Sequence, residues 1–449
     1  MEYTEINLGA FALQFTVLIG LLILLVPERL TLLPFFLGGI FLPLGLALVL
    51  GPLHLFMFRL LIAFGWLRLF GRHHKLGGFQ TLDKLVLCFV ISSVVTYTVL
   101  WQTVPALVNR LGLAFNAIGV YFFFRCVIKD LDQMARAVRT LVFIAGVIAV
   151  CALIEQTTTR NVFSVFGGVP TFSEIRDGKL RCQGPFAHSI LAGTFGATMF
   201  PIFASLWWQP QGKLWAVTGT AASLVIVVTS SSSGPAVTCI AAVIGLLMWP
   251  LRAHMCFIRW SIALVLVGLH VSMNGPVWAL ISRASVFSSS SSDHRFELVD
   301  NFIHRIGEWW LLGTPSTASW GWGMQDVSNN YVRVGVDGGL ISFIFFILII
   351  VFGFKTVGRG LRVRKGDLKS QRFLWGLGVS LFSHLVAFMG VSYWDQTILI
   401  WYLLLAMIAP LAALLTAQNA GRPALPSRAP VLAWPPEAEE ELPLWWSHQ

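Results

Sequence analysis

Long apolar runs separated by short polar breaks recur from Phe11 to Leu415, and nothing else in the chain constrains its fold as tightly. A helix needs about 20 apolar residues to cross a bilayer, because in hydrocarbon the backbone must satisfy its own hydrogen bonds. Candidate spans are Phe11–Val26, Leu32–Leu50, Leu85–Trp101, Leu111–Ile128, Leu141–Ile154, Ile190–Leu206, Leu214–Val228, Val237–Trp249, Ile262–Val271, Leu340–Phe354, Leu374–Met389 and Ile398–Leu415. Leu53–Phe70 is a further run, half interfacial because it holds His54, Arg59 and Arg68. The expected fold class is therefore an all-α polytopic integral membrane protein with about 12–13 transmembrane helices. Only 12% of the residues are charged and 56% are hydrophobic, whereas soluble domains carry about 25% charged residues. The opening MEYTEINLGA lacks a basic region, so the first run is expected to stay as a span, not to be cleaved as a signal.

Charge placement sets an expected orientation. The net charge of +10 sits in short loops between the runs and not in a separate basic domain, which argues against nucleic acid as a partner. Lys355–Arg372 carries Lys355, Arg359, Arg362, Arg364, Lys365, Lys369 and Arg372 against one carboxylate, Asp367, and is expected in the cytoplasm. Arg68–Lys84 and the loop around Asp130 follow it. Alternation then puts the long polar loops 155–188 and 274–335 together on the outer face, the periplasm of a two-membrane bacterium. Residues 1–417 form the transmembrane domain. The segment 418–449, rich in Pro and Ala and ending acidic, reads as a disordered cytoplasmic tail. The six cysteines are scattered without a CxxC pair and read as small core residues; only Cys182 lies in a polar loop.

Chemistry is expected in the two outer loops, since loops on a rigid scaffold carry function. In the second, His294–Trp310 reads as an amphipathic helix capped by Asp293 and loosened by Gly307. At about 100° per residue, Phe296, Val299, Ile303, Ile306 and Trp310 form its apolar side, opposite His294, Asn301, Arg305 and Glu308 with Arg295 on the border. The bland alternative is an interfacial helix whose charges face water. In the first loop, Arg176, Lys179 and Arg181 precede a helix that starts near Ala187 or His188, the arrangement of an anion site; headgroup snorkelling is the alternative. Asp326, Ser328, Asn329 and Asn330 lead into another span. Asp337 just inside it is a functional candidate or a cap paired with Arg333. Glu155 ends a span, His384 reads as a hydrogen-bonded core group, and Asp395 reads as a cap. No Walker loop, GxGxxG, HExxH or GxSxG motif stands in a usable context.

Three motifs between Arg181 and Leu340 resemble the O-antigen ligase and polymerase superfamily of bacterial envelope glycosyltransferases. RCQGPFAHSILAG is similar to that family's Arg-x-x-Gly-Pro-Phe-x-x-Pro/Ser run. DHRFELVDNFIHRIGEWWLLGTPSTASWGWG resembles its Arg-x-x-x-Trp helix and glycine stretch, with Val299 in place of the usual Trp. DVSNNYVRVGVDGGL is similar to Asp-x-His-Asn-x-Tyr-Leu…Glu-x-Gly-Leu, with Asn329, Tyr331, Asp337 and Gly339 in register. Ser328 stands where ligases carry a histidine taken to activate the acceptor, which shifts weight toward a polymerase and leaves a ligase-type base in doubt.

The resemblance implies oligosaccharide transfer from an undecaprenyl-pyrophosphate donor to a glycan or lipid A core acceptor, at the bilayer surface and without metal or cofactor. It puts Arg181 and Arg295 on the departing pyrophosphate, supported by Arg305 or Arg176. His294, His304, Asp326 and Asp337 are candidate bases, and Ser328, Asn329 and Tyr331 complete the expected site. A secondary transporter is the alternative class; it calls for inverted repeats and midplane charges, whereas the ionisable groups here gather at the outer ends.

Overall fold

The computed structural model describes residues 6–7, 9–43, 45–50, 53–72, 76, 78–273, 275–280, 289–364 and 366–411. The structure is mostly helical: α1 (Ala10–Leu25), α2 (Leu32–Phe41), α3 (Met57–Gly71), α4 (Thr81–Trp101), α5 (Val104–Val127), α6 (Leu131–Thr158), α7 (Ser189–Ser205), α8 (Lys213–Thr229), α9 (Ser233–Leu247), α10 (Met255–Ser272), α11 (Ser289–His304), α12 (Ile306–Trp309), α13 (Asn330–Val363), α14 (Leu368–Phe388) and α15 (Gln396–Ile408). Strand β1 (Ile6–Asn7) lies parallel on β2 (Leu46–Leu50), which pairs antiparallel with β3 (Leu53–Phe56). The strands β4 (Glu174–Arg176) and β5 (Lys179–Arg181) form a hairpin.

Among the described residues six helices are long and apolar enough to cross a membrane: Thr81–Trp101, Val104–Val127, Leu131–Thr158, Ser189–Trp208, Trp249–Ser272 and Asn330–Val363. Shorter apolar helices are Ala10–Leu25, Lys213–Thr229, Ser233–Leu247 and Gln396–Ile408. Leu25, Val104, Leu214, Val228, Leu247 and Val271 lie between 72% and 80% exposed on the outside. That much apolar surface is untenable in water and is compatible with a multi-pass membrane protein. α7 is the central post, buried along nearly its whole length and packed against α8, α9 and α14.

Several expectations are corrected. Leu32–Leu50 is not one span: Leu42 before Pro43 is extended, as a residue preceding proline prefers, so α2 stops at Phe41 and the chain continues as β2. The expected helix His294–Trp310 starts earlier, at Ser289, which puts Asp293 inside it and not at its cap. It also breaks at Arg305, which has left helical geometry (ψ 29°) before the short α12 begins. The buried face differs too. Leu298, Phe302 and Trp309 are buried, while Ile303, Ile306 and Trp310 are 41–50% exposed. Leu298, Phe302 and Trp309 join Trp320, Met324, Val327, Val332 and Val336 in a small second core that seats α11 on α13. The Phe302 and Trp309 rings stack at 4.0 Å, and the indole N–H bonds the Phe302 carbonyl at 2.7 Å. The expected tail 418–449 lies outside the described residues.

α13 is broken at Gly339 (φ 66°, ψ −175°). Such a break frees backbone groups that must find partners. The neighbouring loop supplies them: Leu340 N–H donates to the Trp310 carbonyl and Thr314 N–H to the Val336 carbonyl, both at 2.8 Å. A Cβ on Gly339 would sit 2.5 Å from the Leu311 oxygen, and one on Gly313 (φ 98°) would strike the Val336 carbonyl. Gly339→Ala is expected to cost about 1–3 kcal/mol through strain at positive φ. Thermal unfolding in detergent checks this, and an unchanged midpoint would show that the break is not needed.

Candidate functional site

The two long polar loops meet at one end of the bundle, where α7, α9 and α13 begin and α8 and α14 end. The first is pinned by Glu155, which is fully buried at the end of α6. Its carboxylate accepts from the Ser173 hydroxyl (2.6 Å), Gln183 N–H (2.9 Å) and Gly184 N–H (3.0 Å). Asn161 donates to the Gly184 carbonyl and Gln396 to the Pro185 carbonyl. Asp395 does not cap α15 with its side chain as expected; at φ 59° it accepts Ala187 N–H at 2.8 Å and so fixes the approach to α7. Three elements distant in sequence thus hold the segment 181–188 in place.

Arg181 ends β5 and is only 5% exposed. One terminal nitrogen donates to the Ser232 hydroxyl at 2.9 Å, the other to Glu174 at 3.3 Å, and the buried Nε–H has no partner. Burial lowers its pKa, with Glu174 pulling the other way. Arg295, on α11, is half-buried, and burial alone lowers its pKa. Among the described residues its one hydrogen bond is a long one, 3.5 Å to the Gly390 carbonyl. The same guanidinium lies against Gly234, two residues beyond the Ser232 that Arg181 touches. The α8–α9 turn therefore gathers both arginines, and among the described residues both keep donors to spare. A guanidinium has five N–H donors and cannot discharge by losing a proton; desolvated and under-bonded, it is poised for an anion.

Asn329 caps α13 by accepting Tyr331 and Val332 N–H, and it donates to the Met389 carbonyl at 3.3 Å. Asn329 and Arg295 thus take consecutive carbonyls, Met389 and Gly390, at the end of α14. Tyr331 donates to the Leu385 carbonyl at 3.2 Å, and Ser392 to the Val327 carbonyl. Ser328 beside them is half-exposed, and among the described residues its hydroxyl has no partner in the chain. Asp326 is exposed nearby, close enough to act on His188 electrostatically.

Two histidines are held in the same tautomer, with the proton on Nε2. The Nδ1 of His188 accepts Ile190 N–H at 3.2 Å to cap α7, which leaves the ring proton on Nε2. Burial, and next the Arg181 charge, push its pKa down, so it stays neutral. His294 likewise bonds through Nε2, to the Gly323 carbonyl at 3.1 Å. A carbonyl only accepts, so Nε2 carries the proton and Nδ1 the lone pair. His188 entered the sequence reading only as a helix start; its position seven residues after Arg181, at a membrane-entering N-terminus, was the available signal.

The remaining candidates lie elsewhere. Arg176 is at the exposed hairpin tip, 3.9 Å from Asp177. His304 is bound to Asp300 of its own helix, and Arg305 to Glu308 and Asn301. Both stand some ten residues past Arg295, about 15 Å along the helix. Asp337 is clamped between Arg333 (2.8 Å) and Arg110 (2.9 Å), and Arg110 also stacks on Tyr97. So committed a carboxylate is a structural tie and a poor base. Burial, and then Glu155, push Cys182 up to about 12, so it is a protonated thiol and no nucleophile. His384 bonds the Tyr393 hydroxyl at 2.6 Å within the core. Among the described residues, no group of three or more His, Cys, Asp or Glu is placed to hold a metal ion.

The chain matches no protein-family model, and comparison with curated proteins likewise finds no match.

Proposed function

We propose that the chain is a bacterial inner-membrane glycosyltransferase whose site faces the periplasm. It moves an oligosaccharide from an undecaprenyl-pyrophosphate donor to a sugar hydroxyl, polymerising a capsule, exopolysaccharide or O-antigen. The observation that carries this reading is the pair of desolvated, under-bonded guanidiniums of Arg181 and Arg295 at one helix turn. They suit the charge that gathers on a departing lipid pyrophosphate, and fixed cations in a dry site stabilise such charge strongly.

The acceptor hydroxyl attacks the anomeric carbon while the bond from that carbon to the pyrophosphate oxygen breaks. The hydroxyl proton passes to Nδ1 of His294, whose tautomer the Gly323 carbonyl holds. Arg181, Arg295 and the Nε2–H of His188 take the negative charge. Ser328 and Asn329 flank the acceptor. Ser328, in place of a ligase-type histidine, favours growth of a glycan chain over transfer to lipid A core. Ser328→Ala is expected to lower the rate at least tenfold if its hydroxyl bonds the acceptor, about the worth of one hydrogen bond.

His188→Asn separates two roles. Asparagine is a good helix cap, so thermal stability should hold, while the imidazole donor is lost. Transfer is expected to fall at least tenfold, in line with the loss of one bond to a charged group; an unchanged rate would remove His188 from the site. For the reaction itself, lipid-linked glycans from a deletion strain are decisive. Accumulated single repeats support polymerisation, and accumulated full-length polymer would indicate a ligase. An unchanged lipid pool, with solute flux through proteoliposomes, would indicate a transporter.

A further inference from the structure

At the opposite end of the bundle, Arg252 and Arg372 share one indole. Their guanidinium carbons lie 4.1 Å and 4.4 Å from the Trp249 ring centroid, and Arg372 also covers Trp208 at 4.5 Å. Trp249 is itself fixed edge-on against Trp375, which donates to the Gly245 carbonyl. The 18 residues between Arg372 and Gly390 follow α14 for about 25 Å, so this cluster is a bilayer's thickness from the site above.

Two like charges on one ring repel, and neither has a carboxylate partner among the described residues. The carboxylate nearest in sequence, Asp367, is engaged with Ser370 N–H and with Arg364 at 3.8 Å. Among the described residues Arg252 bonds only the carbonyl of Trp249. Arg139 bonds the Pro210 carbonyl, and Lys213 stands 5.7 Å from the Trp207 ring, adding further positive charge. An anion between the two arginines would relieve the repulsion. Beside them runs an apolar groove of about 280 Å³ lined by Ala204, Trp207, Trp208, Ala216, Val217 and Thr220. Trp208 is common to the groove and the cationic clasp. Tryptophans at helix ends mark the headgroup level, and basic pockets between helices at that level take anionic headgroups.

We propose that this cluster binds an anionic phospholipid, its phosphate between Arg252 and Arg372 and one acyl chain along the groove. The proposal is independent of the reaction at the other end.

Native mass spectrometry of the intact chain with phosphatidylglycerol or phosphatidylcholine tests it, alongside melting curves in neutral detergent. The wild type should retain phosphatidylglycerol and melt higher with it. R252Q/R372Q should retain it about thirtyfold less, since each surface arginine contributes roughly fivefold. Without lipid, this variant should melt no lower than the wild type, because a repulsion has been removed. Val217→Trp, which fills the groove and keeps both charges, should also lose the lipid, and it serves if the double variant does not fold. Equal retention of phosphatidylcholine, or undiminished phosphatidylglycerol in either variant, would overturn the proposal. So would inorganic phosphate raising the melting point as much as the lipid does, since the affinity would then be for the free anion.

Discussion

Arg181→Ala or Arg295→Ala is expected to lower glycan transfer about a hundred- to a thousand-fold, the usual cost of removing one preorganised contact to developing charge. The fold should survive. Among the described residues Arg181 gives up bonds to Ser232 and the half-exposed Glu174, and Arg295 one long bond to Gly390. Neither loss strands a buried carboxylate, so insertion and melting should stay near wild type. Lysine should rescue poorly at both positions, because a point charge cannot span two phosphate oxygens as the planar fork does. The double variant should cost less than the product of the singles, since both cations serve one anion. The readout is transfer with purified protein and lipid-linked repeat. Near-normal polymer from both single variants would leave these loops as ordinary interfacial surface.

The second large effect is on stability. Asp83 and Arg125 are 0% and 1% exposed, where α4 begins and α5 ends. Their contact is bidentate, at 2.8 Å and 3.1 Å. The Tyr121 hydroxyl and Gln80 N–H complete the carboxylate's shell, and Arg125 also reaches the Gly78 carbonyl. Asp83→Ala would strand a buried guanidinium, at a cost of about 3–5 kcal/mol. Replacing both, as Asp83→Leu with Arg125→Met, should recover most of that, because a well-packed apolar pair often matches a buried ion pair. Thermal unfolding in detergent measures both variants. A single variant as stable as the wild type would mean that water reaches the pair.

The sequence showed what periodicity and charge can show. Apolar runs marked α4 and α7 through α9 with boundaries close to those observed and found α5 and α6 with starts that were too late, and basic loops opposite polar ones separated the two ends of the bundle. The anion-site reading of the 176–188 segment singled out Arg181, and the family resemblance singled out Arg295. What stayed hidden was set by contacts distant in sequence. The break at Gly339 lies just before the apolar run Leu340–Phe354 and is stabilised by carbonyl and amide groups of residues 310–314. The face that α11 buries was misjudged; it rests on α13 through Leu298 and Phe302. Asp83 and Arg125 drew no notice, since nothing local pairs residues 42 positions apart. His188 and His294 acquire their roles from the tautomers that Ile190 N–H and the Gly323 carbonyl impose, a property of geometry with no sequence signature.

The central claim is that one anion, the pyrophosphate of a polyprenyl carrier, is held jointly by Arg181 and Arg295. Equilibrium binding of undecaprenyl pyrophosphate to the purified intact chain, compared with undecaprenol, tests it most directly. Saturable binding that needs the pyrophosphate and weakens at least tenfold in each arginine-to-alanine variant is the expected result, about the worth of one charge-assisted contact. Equal affinity for undecaprenol, or wild-type affinity in both variants, would contradict the account.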